Sequence, residues 1–317
     1  MRAIPEISKA SVGGANPGTF PVNLLPDGTS ISAFGFGCSS YWSKHSFPEQ
    51  DAVGLVLRAQ QLGINHFDTG PSYGWGEAER RLGLALKSLD RSALVISTKV
   101  GTFRDTGGRT FKSFEPSRLR GSVEDSLRRL GLDQIDILYL HGPQIQDLSP
   151  ELIDCLTDLK GKGHVRFHGI NTFDRGVLKR AAQLPFDVVM TQYNLFDVSR
   201  HDDIESLKHG GKTIIGGTAL GQGIFNLSTL IPRSKKSVWY LLRALKNDPV
   251  FPMTRWRARQ RISGLGCPPL EAALLMLLQT PAITSSVFGT TTMAHLEQNV
   301  DAIRNIQVRC RAIGSSG

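Results

Sequence analysis

The sequence predicts an α/β fold, a (β/α)8 TIM barrel with an N-terminal β-hairpin and a long loop after strand seven. Three observations predict it. Eight short β-branched or apolar runs recur along the chain. Each is followed by a polar-apolar stretch of helical period, the alternation that builds parallel sheets. The first run, in FGFGCSS, neither completes G-x-G-x-x-G nor opens directly into a helix, which argues against an open doubly wound sheet.

The elements follow in order. Residues 1–19 form an N-terminal extension. Residues 20–32, FPVNLLPDGTSIS, read as a hairpin around Asp27-Gly28, placed to close the bottom of the barrel. The barrel strands are expected at 34–39, 65–70, 94–101, 135–142, 165–172, 187–194, 212–219 and 283–290. Helices are expected near 50–62, 76–88, 116–130, 151–162, 174–183, 202–209, 269–279 and 294–303. Pro116 suits a first helical turn and Asp174 can cap a helix, while Gly63, Gly131 and Gly163 can end three others. Residues 221–268 are a long excursion between strand seven and its helix. The barrel is thus one domain over 20–306, with a tail at 307–317.

Composition narrows the function classes. At 40% hydrophobic and 21% charged residues, the chain can bury a sizeable core and is not of the disordered class. No uncharged apolar run reaches the ~18 residues of a membrane span, and the first residues lack an apolar secretory core. The four cysteines are widely spaced without a CxxC, which points away from a metal site or disulfide framework and toward a reducing cytoplasm. The net charge of +9 is concentrated in residues 231–262, where nine Lys and Arg face one acid, Asp248. That stretch reads as a solvated basic excursion or as a contact for a phosphorylated ligand. No helix-turn-helix, zinc finger or RNP-like string supports a nucleic-acid partner.

A barrel of this kind places chemistry at the C-terminal ends of its strands. Strand two ends in FDTGPSYG, giving Asp68 and, in the next loop, Tyr73. Strand three, LVISTKVG, carries Lys99 near its end. Strand four, DILYLHGP, ends at His141. Singly, each has an ordinary explanation: a turn-forming Asp, a solvated Lys, a core His. Together they form one chemistry. A phenol is a poor proton donor at neutral pH, a neighbouring ammonium favours its ionised form, and a carboxylate holds that ammonium charged. An imidazole can orient a carbonyl oxygen. Tyr73 is then general acid in reduction and base in the reverse direction.

These strings, with GINHFDTGPSYGWGEAERRLG, RFHGINTF, TQYN and GTTTMAHLEQNV, resemble the aldo-keto reductase superfamily over roughly 30–305. The resemblance implies a barrel that binds NADP(H), less often NAD(H), without a Rossmann fold or metal. It gives Asp68, Tyr73, Lys99 and His141 as a catalytic tetrad. It places Gly37 and Cys38, the Asn171-Thr172 pair and Gln192 along the cofactor, the last three near the nicotinamide carboxamide. It puts Gly217 where many members stack an aromatic on the nicotinamide, and Thr218, Leu220 and Gln222 near the pyrophosphate. Gly289, Thr290, Thr291, His295 and Asn299 fall at the adenosine end. His295 stands where an Arg is common, and hydroxyls hold a phosphate less firmly than a guanidinium. The family's usual choice favours NADP(H), whereas this segment favours NAD(H) or dual use; one of Arg255, Arg257 or Arg259 folded over the adenosine end would restore the balance, and NADP(H) is kept slightly ahead.

Tyr41, Trp42, Trp75 and Phe103 are the expected aromatic lining of a substrate pocket. FDTGPSYGWGEAERRLG and Gly217 look most like the branch of the family that oxidises aldoses to lactones. Aryl aldehydes and cyclic ketones suit the same lining. The expected function is hydride transfer between a nicotinamide and a carbonyl or alcohol, in a monomer or small homo-oligomer. The alternative is a cofactor-binding regulatory protein that keeps the barrel with little turnover and docks through its basic excursion.

Overall fold

A computed structural model describes residues 20–221, 238 and 268–314 of the 317-residue chain. The expected extension 1–19, Gln222 and nearly all of the basic excursion lie outside the described residues. The described chain begins with a hairpin, β1 (Val22–Leu24) and β2 (Ser30–Ser32), paired antiparallel. Eight strands then close into a barrel: β3 (Phe34–Gly37), β4 (His66–Asp68), β5 (Val95–Val100), β8 (Ile135–His141), β9 (Val165–Asn171), β10 (Val188–Gln192), β11 (Thr213–Gly217) and β12 (Ile283–Phe288). Neighbours are parallel, and their order around the barrel is their order in the chain.

The described helices are α1 (Glu49–Gln61), α2 (Glu77–Leu86), α3 (Pro116–Leu130), α4 (Pro150–Gly161), α5 (Arg175–Ala182), α6 (His201–His209), α7 (Pro269–Leu278) and α8 (Met293–Gly314). Their start signals act as expected. Pro116 opens α3, and the Asp174 carboxylate accepts from Val177 N at 2.9 Å. Helix α8 continues to Gly314, well past the expected end near residue 303. No described helix is long and apolar enough to cross a membrane.

Each barrel strand is buried on both faces, and side chains alternate between two layers. Val95, Ile137, Tyr139, Phe167, Val188, Met190, Ile215 and Val287 fill the barrel interior. Ile96, Leu138, Leu140, Ile170, Val189, Ile214 and Phe288 pack outward under the helices. Leu25 and Ile31 of the N-terminal hairpin join the interior cluster, so the hairpin does close the bottom. Arg166 Nε ties its turn down by donating to Asp27 Oδ2 at 2.6 Å.

One element was not expected. After β5 the chain forms a second hairpin, β6 (Thr102–Arg104) and β7 (Thr110–Lys112), with Thr102 opposite Lys112 and Phe103 opposite Phe111. It leaves the barrel at Gly101, whose φ of +98° is in the glycine-favoured region. A Cβ there would lie 2.1 Å from the Phe114 ring.

Candidate active site

The two-residue period of the strands decides which polar side chains enter the barrel mouth. Counting from the interior residues Val95 and Ile137, the inward positions include Ser97 and Lys99 on β5 and His141 on β8. Register places Asp68 beside Ser97, and Lys99 beside Tyr139. Asp68 is 6% exposed and Lys99 1%.

Two such charges are costly to bury apart. Here they meet: Lys99 Nζ donates to Asp68 Oδ2 at 2.6 Å and to the Thr69 carbonyl at 2.7 Å. Asp68 Oδ1 accepts from Ser97 Oγ at 2.8 Å. Ser97 in turn lies 3.2 Å from Nε2 of His66, whose Nδ1 is 3.0 Å from Ser285 Oγ. Burial by itself would favour a neutral Lys99 amine. Asp68 and Tyr73 oppose it and hold the ammonium above its ordinary pKa. At His66 burial outweighs the opposing pull of Asp68 and, with the Lys99 ammonium, brings the ring down to about 4.

Tyr73 lies in the turn between β4 and α2. The Lys99 ammonium is 5.1 Å from the centroid of its ring. The His141 ring stands edge-on to it, with centroids 6.0 Å apart and planes at 74°. Gly70 gives the phenol room, because a Cβ there would sit 3.3 Å from the Tyr73 ring. Burial, then the Lys112 and Lys99 ammoniums, pull His141 down to about 3, so the imidazole is neutral at any working pH. The structure thus gathers Asp68, Tyr73, Lys99 and His141 at one rim. It adds Ser97, His66, Thr102 and Lys112, which sequence reasoning missed. Ser97 and His66 had a signal: each lies two residues before a candidate on its own strand and so shares its face.

Most of the described residues expected along a dinucleotide lie on the neighbouring half of the barrel, at or after the ends of β9, β10, β11 and β12. Asn171 is paired in register with His141, and Gln192 with Gly217. Gln192 Nε2 donates to Asp197 Oδ2 at 3.2 Å. Thr172 is buried and its hydroxyl accepts from Asp174 N at 3.2 Å, so Asn171 is the inward member of the pair. Thr218 has φ +58°, and its carbonyl and hydroxyl both accept from the Asn194 amide. Leu220 leans on the outer core. Gly289, Thr290 and Thr291 follow β12; His295 is exposed in the first turn of α8, and Asn299 is buried on it.

Gly289 lets the chain leave β12 close against β3, where a Cβ would meet the Gly37 carbonyl at 3.0 Å. One observation at this end suits a dinucleotide. The Thr292 hydroxyl, beside the expected adenosine end, is buried with no partner among the described residues.

Two expected contacts are corrected. Cys38 is fully buried on the outward side of β3, in the helix-facing core, because it alternates with the inward Gly37. Its N–H donates to the Asp68 carbonyl at 2.8 Å, so it braces β4 and offers a cofactor no side chain. Trp42 is 1% exposed and belongs to the same core, so it does not line a substrate pocket. Tyr41 is half-buried against Phe47, with ring centroids 6.2 Å apart. Phe103 stacks on Phe111 at 5.8 Å. Trp75 is 43% exposed and held at φ +55°, an uncommon conformation for a bulky residue. The Arg104 guanidinium lies 5.3 Å from its ring. Both line a cleft of about 620 Å³ with Lys44, His45, Arg80 and Arg129.

Known proteins resemble the chain over most of its length. Residues 33–309 match the Aldo/keto reductase family. The chain is 30% identical to L-galactose dehydrogenase of Arabidopsis thaliana over 295 residues, 88% of this chain and 86% of that protein. It is 28% identical to D-threo-aldose 1-dehydrogenase of a Pseudomonas species over 301 residues, 86% of this chain and 90% of that protein. The fold is that of an aldo-keto reductase from Bacillus halodurans in its holo form. That likeness has a TM-score of 0.71 at 23% identity and covers 93% of this chain and 96% of that one.

Proposed function

Because the chain belongs to the aldo/keto reductase family, we propose that its four rim residues carry out hydride exchange between a nicotinamide and a sugar or other carbonyl compound. The observation that carries this reading is the buried Lys99–Asp68 pair, with the Tyr73 ring 5.1 Å from the ammonium. A bound nicotinamide supplies the hydride in reduction and accepts it in oxidation. Asn171, Gln192 and Gly217 would hold its carboxamide end, and Thr290, Thr291, His295 and Asn299 the adenosine end.

The protein's own groups handle the proton. In reduction the Tyr73 hydroxyl donates to the carbonyl oxygen as the carbon is reduced. The Lys99 ammonium stabilises the phenolate left behind, and Asp68 keeps that ammonium charged and fixed. Neutral His141 hydrogen-bonds the oxygen and sets its direction. In oxidation the same phenolate removes the hydroxyl proton. Asp68, Lys99 and His141 keep their protonation states in both directions.

For the substrate, an aldose oxidised at its hemiacetal carbon is the favoured class. Its support is the likeness to two aldose-oxidising relatives and the exposed Trp75, an aromatic face suited to a sugar's C–H surface. NADP(H) is proposed ahead of NAD(H), by a small margin. The test is a screen of aldoses, aryl aldehydes and cyclic ketones with both nicotinamides, followed by absorbance. Aldose oxidation with the highest kcat/KM is expected. Turnover confined to aryl aldehydes would overturn the substrate assignment.

A further inference from the structure

We propose that Thr102 and Lys112, opposite each other on the β6–β7 hairpin, fix the tautomer of His141 so that Nε2 carries its proton and donates to the substrate oxygen. The inference rests on the reading of His141 as the residue that orients that oxygen.

Donor and acceptor counting supports it. Lys112 Nζ donates to Thr102 Oγ1 at 2.7 Å and also to the His141 carbonyl. An ammonium has no acceptor, so the Thr102 oxygen receives and its single hydrogen remains to be given. The nearest partner found for it is His141 Nδ1, 3.2 Å away. An Nδ1–H aimed at the second lone pair of this oxygen would leave the hydroxyl hydrogen without its ring acceptor. With Nδ1 bare, each of the three groups is satisfied, and the ammonium polarises the hydroxyl toward stronger donation. His141 is neutral, because burial and two nearby ammoniums disfavour its cation. A neutral ring with a bare Nδ1 carries its hydrogen on Nε2.

The hairpin geometry makes this a built arrangement. Thr102 and Lys112 are direct cross-strand partners, so their side chains share one face. Phe103 and Phe111 stack on the other face, with rings 5.8 Å apart and 28° from parallel. That stack sets the register, and a one-residue slip would turn Lys112 away from His141. Gly101 aims the hairpin at the end of β8. Thr102 and Lys112 are positioning residues: they act through His141.

The test joins a spectroscopic readout to a kinetic one. The ¹⁵N resonances of His141, assigned by their loss in His141→Gln, report which ring nitrogen bears the proton. Wild type is expected to show a bare Nδ1 and a protonated Nε2 at pH 7. Thr102→Val, close in size, is expected to shift protons onto Nδ1 and to lower kcat/KM for carbonyl reduction about 10–100-fold. Nicotinamide affinity should be unchanged, and Thr102→Ser should restore both readouts. Lys112→Met should raise the pH at which His141 takes up a second proton. A wild-type spectrum with Nδ1 protonated, or a Thr102→Val protein with unaltered spectrum and turnover, overturns the proposal. If the spectra behave as stated but no carbonyl compound is reduced, the tautomer assignment stands and the proposed reaction falls.

Discussion

Lys99 Nζ donates to Asp68 Oδ2 at 2.6 Å, where neither residue is more than 6% exposed. The pair is isolated from water and also held by Ser97 and the Thr69 carbonyl. Removing one partner strands the other charge. Asp68→Ala is therefore expected to destabilise the protein by about 3–5 kcal/mol, read from urea unfolding. The closer replacement Asp68→Asn should fold better and still lose most turnover. An Asp68→Asn enzyme with wild-type kcat would show that the ammonium needs no carboxylate.

Acid sensitivity follows from two histidines. His66 and His141 are pulled down to about 4 and about 3, mainly by burial, against an unfolded value of about 6.5. Below about pH 6.5 the unfolded chain binds protons that the folded chain refuses, so stability falls as pH drops from about 6.5 to about 4 for His66 and to about 3 for His141. Glu77, lowered to about 2 by its hydrogen bonds to Arg80 and Arg81, adds a loss only below about pH 4.5. Urea midpoints at pH 7.5, 6 and 5 should decline in order. Equal midpoints at 7.5 and 5 would contradict the burial of the two rings as neutral groups.

Cofactor discrimination should be weak. The segment 289–299 contains no Lys or Arg, so a 2′-phosphate would meet threonine hydroxyls and His295 there. NADPH is expected to bind ahead of NADH by no more than about tenfold, or about 1.4 kcal/mol, in a fluorescence titration. A preference above a hundredfold in either direction would contradict this account of the adenosine end.

The barrel floor should affect stability alone. Ile31 is fully buried among interior residues at the end opposite the site. Ile31→Ala is expected to cost about 2–5 kcal/mol in urea unfolding and to leave KM and kcat nearly unchanged at 25 °C. A large kinetic defect would mean that the floor and the rim are coupled.

The barrel strands were legible because parallel strands buried on both faces read as continuous apolar runs. IDILYLH and VISTKV each stand out against the polar helices around them. The meeting of the four rim residues was legible because Lys99 and His141 interrupt such runs. The β6–β7 hairpin was not, because its strands are three residues long and largely exposed. Its one signal was Asp105-Thr106-Gly107-Gly108, a turn string between TFR and TFK. Cys38 and Trp42 were misplaced for a different reason. Position along a motif gives the height of a residue in the barrel, and strand alternation and loop packing decide whether its side chain meets the mouth or the core.

The most direct test of the account is single-turnover reduction by Tyr73→Phe, with cofactor affinity measured in parallel. The phenyl ring keeps the packing beside Lys99 and His141 and removes only the exchangeable proton. The role of Tyr73 as general acid requires a loss of at least a hundredfold in the chemical step, with nicotinamide affinity within about twofold of wild type. A Tyr73→Phe protein that reduces its carbonyl substrate at the wild-type rate would contradict it.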